Sequence, residues 1–456
     1  MQTRIIGIDL AISAAHKAVV LDKASNTFIS PLIPFYTDPA DLDRLLAIAR
    51  SGTGGDVQIM AVLEATGMAW FPVSVYLQNK GVLVYRVSGQ QVADQRRVYQ
   101  RHAKTDRIDA RVLARLPLTL SERLYPLFLP TAPQLALQRA CREVIRLTQQ
   151  KTAIRLRLQA TDRLVWLDLS HVMKGDSPQM RWVRQHWYDP WRVLDAGEAV
   201  LTRSWLDSCD GEPGNLDWIP VLVRQAQRVA DLYGSRDCIP CAAIQASALR
   251  EQARLEELES QIHFLRLHTV RPLYRQLHPH RYLETIPGIG QDSAAVYIAF
   301  IGDIRRFPSL REFQGWAGMI PYSKQSGNAR VSGLHITQAG PDLIKATAYL
   351  NAQVARLRDP QIAAVYHRSL MTMGKHFSQA ICACASHLLD RVYMVLRDDR
   401  PYEIRDVDGT PVSKKEAHRI CQTRYRVPES VRRRTTVRVR KARREACLER
   451  RAEPRA

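Results

Sequence analysis

Four acidic side chains in the first quarter of the chain have the types and spacing for divalent-cation chemistry. Asp106 and Asp109 stand three apart in Lys104-Thr105-Asp106-Arg107-Ile108-Asp109-Ala110-Arg111. The apolar spacing of Ile108, Val112, Leu113 and Leu116 predicts a helix from Asp106 onward, so both carboxylates share one face and repel each other. Alone, such a pair reads as ordinary solvated acids balanced by Arg107 and Arg111. The N-terminus changes that reading. Asp9 interrupts the apolar run Arg4-Ile-Ile-Gly-Ile-Asp-Leu10, and Glu64 ends the run Gln58-Ile-Met-Ala-Val-Leu-Glu64. A charge in a buried strand is costly unless something pairs with it. Two strand-borne and two helix-borne acids form the hard oxygen set that Mg²⁺ or Mn²⁺ prefers.

The elements that must position these acids follow from the hydrophobic pattern. After the first strand, His16 to Leu21 reads as its hairpin partner and Phe28 to Ile33 as a third strand. Asp38 to Ala49 reads as a helix with Pro39 in its first turn, and the strand carrying Glu64 follows. A helix from Met68 to Asn79 and a strand from Val82 to Val87 complete an α/β layout around a mixed sheet. With Asp9 on the first strand, Glu64 on the fourth and Asp106 and Asp109 on a later helix, the layout resembles the ribonuclease-H-like domain of RuvC-like nucleases. The segments GIDLA (7–11), VLEATG (62–67) and KTDRIDARVLA (104–114) resemble the N-terminal domain of the DEDD-type serine transposases of insertion sequences. That family includes Piv-like DNA invertases and bridge-RNA-guided recombinases. The resemblance spans residues 4–116 and implies a RuvC-like domain over 1–120.

From Thr131 the apolar positions Leu137, Ala140, Val144, Leu147, Ile154, Leu158 and Val165 keep heptad spacing. A second pattern, Leu255, Leu258, Ile262 and Leu265, is interrupted by Pro272. Together they predict an antiparallel coiled-coil hairpin over 131–275, packing internally or against another protomer; the resemblance favours a dimer. An insertion at 166–235 carries Trp166, Trp182, Trp187, Trp191, Trp205 and Trp218, as a packed core or as platforms for unpaired bases. Leu283-Glu-Thr-Ile-Pro-Gly-Ile-Gly-Gln291 precedes a predicted helix over 292–301. Gly288 and Gly290 there expose backbone N–H groups suited to a phosphate, in a turn similar to that of helix-hairpin-helix modules.

The turn-rich segment Gly315 to Arg330 contains Ser326 before Gly327, a hydroxyl presented without steric cover. With the segments before and after it, this stretch resembles the C-terminal domain of the same transposases, a mainly helical domain over 280–400. The resemblance implies that Ser326 is the nucleophile, with Ser323 and Ser332 as poorer candidates. Lys104, Arg107, Lys324, Arg330 and Lys345 are candidate nucleic-acid contacts. Gln338 and Ile344 depart from the family pattern, in which lysine and arginine are usual there, and Lys345 and His335 are available substitutes.

Composition narrows the partner class. The chain has 456 residues and a formal net charge of +21, which suits a polyanion such as DNA and disfavours an acidic metabolite. Residues 414–456 hold 16 Lys/Arg against five acids, and are expected to form a disordered basic tail adding sequence-independent affinity. No run approaches the roughly 18 apolar residues of a membrane span. The start lacks a signal-peptide pattern, so a cytoplasmic, nucleoid-associated protein is expected. The cysteines, including Cys238, Cys241, Cys382 and Cys384, read as structural thiols. The expected function is a Mg²⁺- or Mn²⁺-dependent transposase or site-specific recombinase. The resemblance adds a structured guide RNA and a homo-oligomer, dimer or tetramer. The alternatives are a RuvC-like hydrolytic nuclease and a non-catalytic nucleic-acid-binding remnant. An actin-like kinase is a further alternative, disfavoured here.

Overall fold

The computed structural model describes residues 2–54, 56–64, 66–99, 106–119, 124–167, 169, 173, 175–209, 214–320, 324–326, 329–331, 336–337 and 340–432; for Tyr99, Asp106, 324–326 and 329–331 only the backbone is described. The chain divides into two compact units, Met1–Pro130 and Thr131–Ala456.

The first unit is a mixed sheet covered on both faces. Its strands are β1 (Gln2–Asp9), β2 (His16–Asp22), β3 (Thr27–Phe28), β4 (Ile33–Phe35), β5 (Val57–Glu64) and β6 (Leu83–Val87). The order is β3-β2-β1-β5-β6, and β4 also pairs with β2. β1 runs antiparallel to β2 and parallel to β5, which is parallel to β6. The helices are α1 (Pro39–Arg50), α2 (Trp70–Asn79), α3 (Gly89–Tyr99) and α4 (Asp106–Thr119). Asp38 caps α1 by accepting from the Ala40 N–H at 2.8 Å. Ile5, Ile6 and Ile8 are fully buried, as a central strand covered on both faces requires. Ile6, Ile8 and Leu63 pack with Leu45 of α1 and Val73 of α2. Ile5, Met60 and Val62 pack with Val92 of α3 and Ala110 and Leu113 of α4.

The single strand expected over Phe28 to Ile33 is two strands. Pro31 has no N–H for a ladder, and between β3 and β4 the Ser30 hydroxyl takes over, accepting from the Val20 N–H at 2.9 Å. Glu64 therefore lies on the fifth strand. α3 had no counterpart in the sequence reading.

The second unit begins with α5 (Ala132–Trp166), followed by α6 (Pro178–His186), α7 (Pro190–Asp207), α8 (Trp218–Tyr233) and α9 (Cys241–Leu265). α5 and α9 run antiparallel: Leu137 to Leu147 share a core with Ile262, while Ile154 to Val165 share one with Ala248 and Leu255. Pro272 does not end the second helix. A π-helical turn, Arg266–Val270, leads directly into α10 (Arg271–Leu277), where Pro272 sits in the first turn and needs no N–H partner. The insertion tryptophans pack on one another. The Trp182 ring lies 5.6 Å from Trp205 and 5.7 Å from Trp218, and Trp166 is fully buried. These rings form a core.

Beyond α10 come α11 (Gln291–Ile301), α12 (Leu310–Ala317), the β7 (Lys324–Ser326) and β8 (Ala329–Val331) hairpin, α13 (Asp342–Ala355), α14 (Pro360–Met371), α15 (Phe377–Asp398) and α16 (Lys414–Thr423). The hairpin helices and this C-terminal region, expected as separate domains, share a core that joins Leu137 to Ala299 and Leu388. Gln134 and Gln138 of α5 both donate to the Ala299 carbonyl, at 3.1 and 2.8 Å. The tail expected to be disordered from 414 starts with a packed helix. α16 buries Ala417, Ile420 and Cys421, and Arg424 pairs with Asp406 at 2.8 Å. Residues 433–456 lie outside the described residues. No described helix is long and apolar enough to cross a membrane.

Candidate active site

The parallel register aligns Ile8 of β1 with Leu63 of β5, so the next residues, Asp9 and Glu64, end adjacent central strands. Side chains alternate along a strand, and Ile5, Met60 and Val62 face α3 and α4. Asp9 and Glu64 therefore belong to that face, at the carboxyl edge of the sheet. Ligand sites of open α/β sheets lie at such edges. On the antiparallel side Asp9 is opposite Lys17.

α4 is brought onto this face by a glycine. A Cβ on Gly7 would stand 2.0 Å from the Ala110 carbonyl oxygen and 2.4 Å from the Ala114 nitrogen, so helix backbone rests directly on strand backbone. Any side chain at position 7 would lift α4, with Asp109 next to Ala110, off the strand that ends in Asp9. Gly89, the first residue of α3, has a related role: a Cβ there would lie 2.7 Å from Glu64 Oε1.

Asp109 is 8% exposed, and Arg96 of α3 holds it. Arg96 Nε donates to Asp109 Oδ1 at 2.8 Å, and Nη2 lies 2.7 Å from the same oxygen. Asp106 is the first residue of α4, and its side chain lies outside the described residues, as does Lys104. Among the described residues, no three acids, histidines or cysteines gather closely enough to hold a metal ion. The structure thus places Asp9 and Glu64 on one sheet edge and face, with α4 and Asp109 packed on that face. It does not show the quartet closed around an ion. Hard carboxylate oxygens are the donor chemistry that fits Mg²⁺ or Mn²⁺.

Arg96, Gly89 and Gly7 were not singled out in the sequence, although one signal was there. Ser88 and Gln91 form a capping box, with the Ser88 N–H donating to Gln91 Oε1 at 2.9 Å and the Gln91 N–H to Ser88 Oγ at 3.3 Å. That S-x-x-Q spacing marks the start of α3.

In the second unit Ser326 ends β7 and pairs with Ala329 of β8. Lys324 and Arg330 belong to the same hairpin, and the side chains of all three lie outside the described residues, as do Ser323, Ser332, His335 and Gln338. Gly288 has φ +92°, and a Cβ there would meet the Asn351 carbonyl at 2.5 Å, so this turn packs tightly on α13. Gly290 caps α11 in open space, but the first turn of α11 already holds a paired carboxylate: Asp292 contacts Arg271 at 3.1 Å and Arg266 at 3.4 Å. Lys345 lies 2.9 Å from Asp342 with its side chain 13% exposed, and Ile344 is core. Arg107 is exposed.

Two family models match the chain. A DEDD-type IS110 transposase model matches residues 6–163, and a model described as the transposase IS116/IS110/IS902 family matches residues 280–367. The insertion element IS110 43.6 kDa protein of Streptomyces coelicolor is 25% identical over 432 residues, covering 90% of this chain and 97% of that protein. The insertion element IS116 44.8 kDa protein of Streptomyces clavuligerus is 24% identical over 435 residues, covering 87% and 95%. The pilin gene-inverting protein of Moraxella lacunata is 28% identical over 123 residues, 27% of this chain and 38% of its own. With the four acids inside one matched segment and the Ser326 hairpin inside the other, the chain is a transposase of the IS110/IS116 insertion-element family.

Proposed function

We propose that this transposase cleaves and rejoins DNA with a divalent-metal acidic site and a serine nucleophile. Asp9, Glu64, Asp106 and Asp109 would hold Mg²⁺ or Mn²⁺, which when bound offsets the negative charge of the phosphodiester and its leaving oxygen. The chain's own residues set the stage. β1 and β5 fix two acids at adjacent strand ends, Gly7 lets α4 close on them, and Arg96 orients Asp109 through one oxygen. Ser326, just before Gly327, attacks phosphorus. Its Oγ–P bond forms as one strand P–O bond breaks, the hydroxyl proton ends on the departing oxygen, and the bond energy is kept for rejoining.

The observation that carries this reading is the pair of matched segments, one holding all four acids and the other Ser326. The serine is delivered to the acids within one chain or between protomers. The same reading includes a homo-oligomer, dimer or tetramer, and a structured guide RNA that times assembly.

The test is DNA cleavage resolved by denaturing electrophoresis. Wild type should leave protein attached to a DNA end, and Ser326→Ala should leave neither adduct nor cut. Cutting by Ser326→Ala with released ends would replace this mechanism with hydrolysis by the acids alone. That second reading is favoured by the three described acids all belonging to the first unit.

A further inference from the structure

Beyond Asp9 the chain turns back through residues 10–15 to begin β2. The β1–β2 register ends at the Asp9–Lys17 pair, and the tip of the loop is bare: Ile12 is 82% exposed, and Ser13 and Ala14 are exposed with it. Few buried apolar contacts and a backbone open to solvent are what let a segment open locally. One side chain of β2 counters this. His16, its first residue, is 6% exposed, and its ring meets Phe35 of β4 edge-on at 5.1 Å. The Ala11 N–H donates to His16 Nδ1 at 3.1 Å, and His16 Nε2 lies 2.8 Å from the Thr37 hydroxyl oxygen.

A backbone N–H can only donate, so Nδ1 is the acceptor. In the neutral ring the proton is then on Nε2, which donates to Thr37 Oγ1. Both ring nitrogens are used, so His16 has none left for an ion. Thr37 directly precedes Asp38, the cap of α1. The imidazole therefore ties the second residue after Asp9 to the connection between β4 and α1. A buried histidine with both nitrogens satisfied can serve packing alone, but the address of this one gives it a second consequence. Carboxylates that share an ion must be held to within about 0.5 Å by locked side chains and hydrogen bonds around them. Asp9 is the last residue of its strand, and the Ala11 bond fixes the chain just where the ladder stops doing so.

We propose that His16 is a positioning residue for the acidic site: by holding the Ala11 N–H and the Thr37 hydroxyl at once, it fixes the path of the chain beyond Asp9 and so the aim of the Asp9 carboxylate. This rests on the reading of Asp9 as a divalent-cation ligand and names the latch that keeps that ligand in place.

The experiment is Mn²⁺ binding to the full chain by titration calorimetry, with circular dichroism confirming that each variant is folded. His16→Phe keeps a ring against Phe35 and removes both hydrogen bonds, and should weaken Mn²⁺ binding about tenfold. His16→Asn offers an amide oxygen to the Ala11 N–H and should recover most of that loss. Thr37→Val, at an exposed position, leaves the imidazole in place and should weaken binding about two- to threefold, the low end for one lost hydrogen bond. Wild-type affinity in His16→Phe overturns the proposal, and so does a His16→Asn variant as weak as His16→Phe. Where His16→Phe does not fold, Thr37→Val decides, and wild-type affinity there overturns the latch. Asp9→Asn is titrated alongside: wild-type binding by that variant would instead remove the metal reading of Asp9, and the role of His16 with it.

Discussion

Two aspartate–arginine pairs, one from each unit, are built differently. In the insertion of the second unit, Arg184 is 1% exposed and Asp162 10%. Arg184 Nε reaches Oδ1 at 3.2 Å, its Nη2 reaches Oδ2 and the Gly175 carbonyl, and the Tyr188 hydroxyl donates to Oδ1 at 3.3 Å. Both carboxylate oxygens are used. Burial, helped by Asp162, pushes the Tyr188 hydroxyl well above its ordinary pKa, so it stays a donor. In the first unit, Arg96 is 21% exposed; its Nε donates to Asp109 Oδ1 and its Nη2 lies against the same oxygen. The first pair is closed on itself inside an aromatic core. The second engages one oxygen of an acid on the face where Asp9 and Glu64 end their strands. The same two residue types close a core in one place and hold an acid beside two strand ends in the other.

Substitutions can break this contrast. Arg184→Met strands a buried carboxylate and should lower the unfolding free energy by about 3–5 kcal/mol in urea denaturation, with DNA cleavage per folded molecule unchanged. A loss below about 1 kcal/mol would mean that the closed pair does not hold the insertion. Gly7→Ala forces α4 off β1 and should destabilise by roughly 3 kcal/mol, with cleavage lost even where the protein remains folded. Full cleavage by that variant would show that the α4 contact is not needed to place the acids.

Smaller effects sharpen the contrast. Arg96→Met should weaken Mn²⁺ binding and cleavage about 10- to 100-fold, as for groups that orient a ligand, while unfolding shifts by about 1–3 kcal/mol, the cost of leaving a buried acceptor without its donor. If stability falls and Mn²⁺ affinity holds, Arg96 is structural like Arg184. Deleting 433–456, which hold ten Lys/Arg against three acids, should flatten the salt dependence of DNA binding and spare cleavage at low salt. An unchanged slope would show that this segment takes no part in binding.

What the sequence made legible follows from period. β1 and β5 are runs of apolar residues ending in an acid, and α4 and α5 keep helical spacing, so Asp9, Glu64, Asp109 and the hairpin were placed by pattern alone. Contacts between elements were not visible that way. Gly7 looks like any strand residue until α4 backbone is found 2.0 Å from where its Cβ would be. Arg96 sits on a short polar helix with little apolar period, and only the capping box at Ser88 marks that helix. Pro272 signalled a break, yet the π-helical turn before it absorbs the change and the chain continues helically. The basic run from 414 hid α16, because the charge masks the few apolar residues, Ala417 and Ile420, that dock it.

The most direct measurement is Mn²⁺ binding to the full chain by titration calorimetry, for wild type, Asp9→Asn and Glu64→Gln, with circular dichroism confirming equal folding. Wild type should bind and each variant should lose most of that affinity. Undiminished binding in both folded variants would contradict an ion held at the carboxyl edge of β1 and β5.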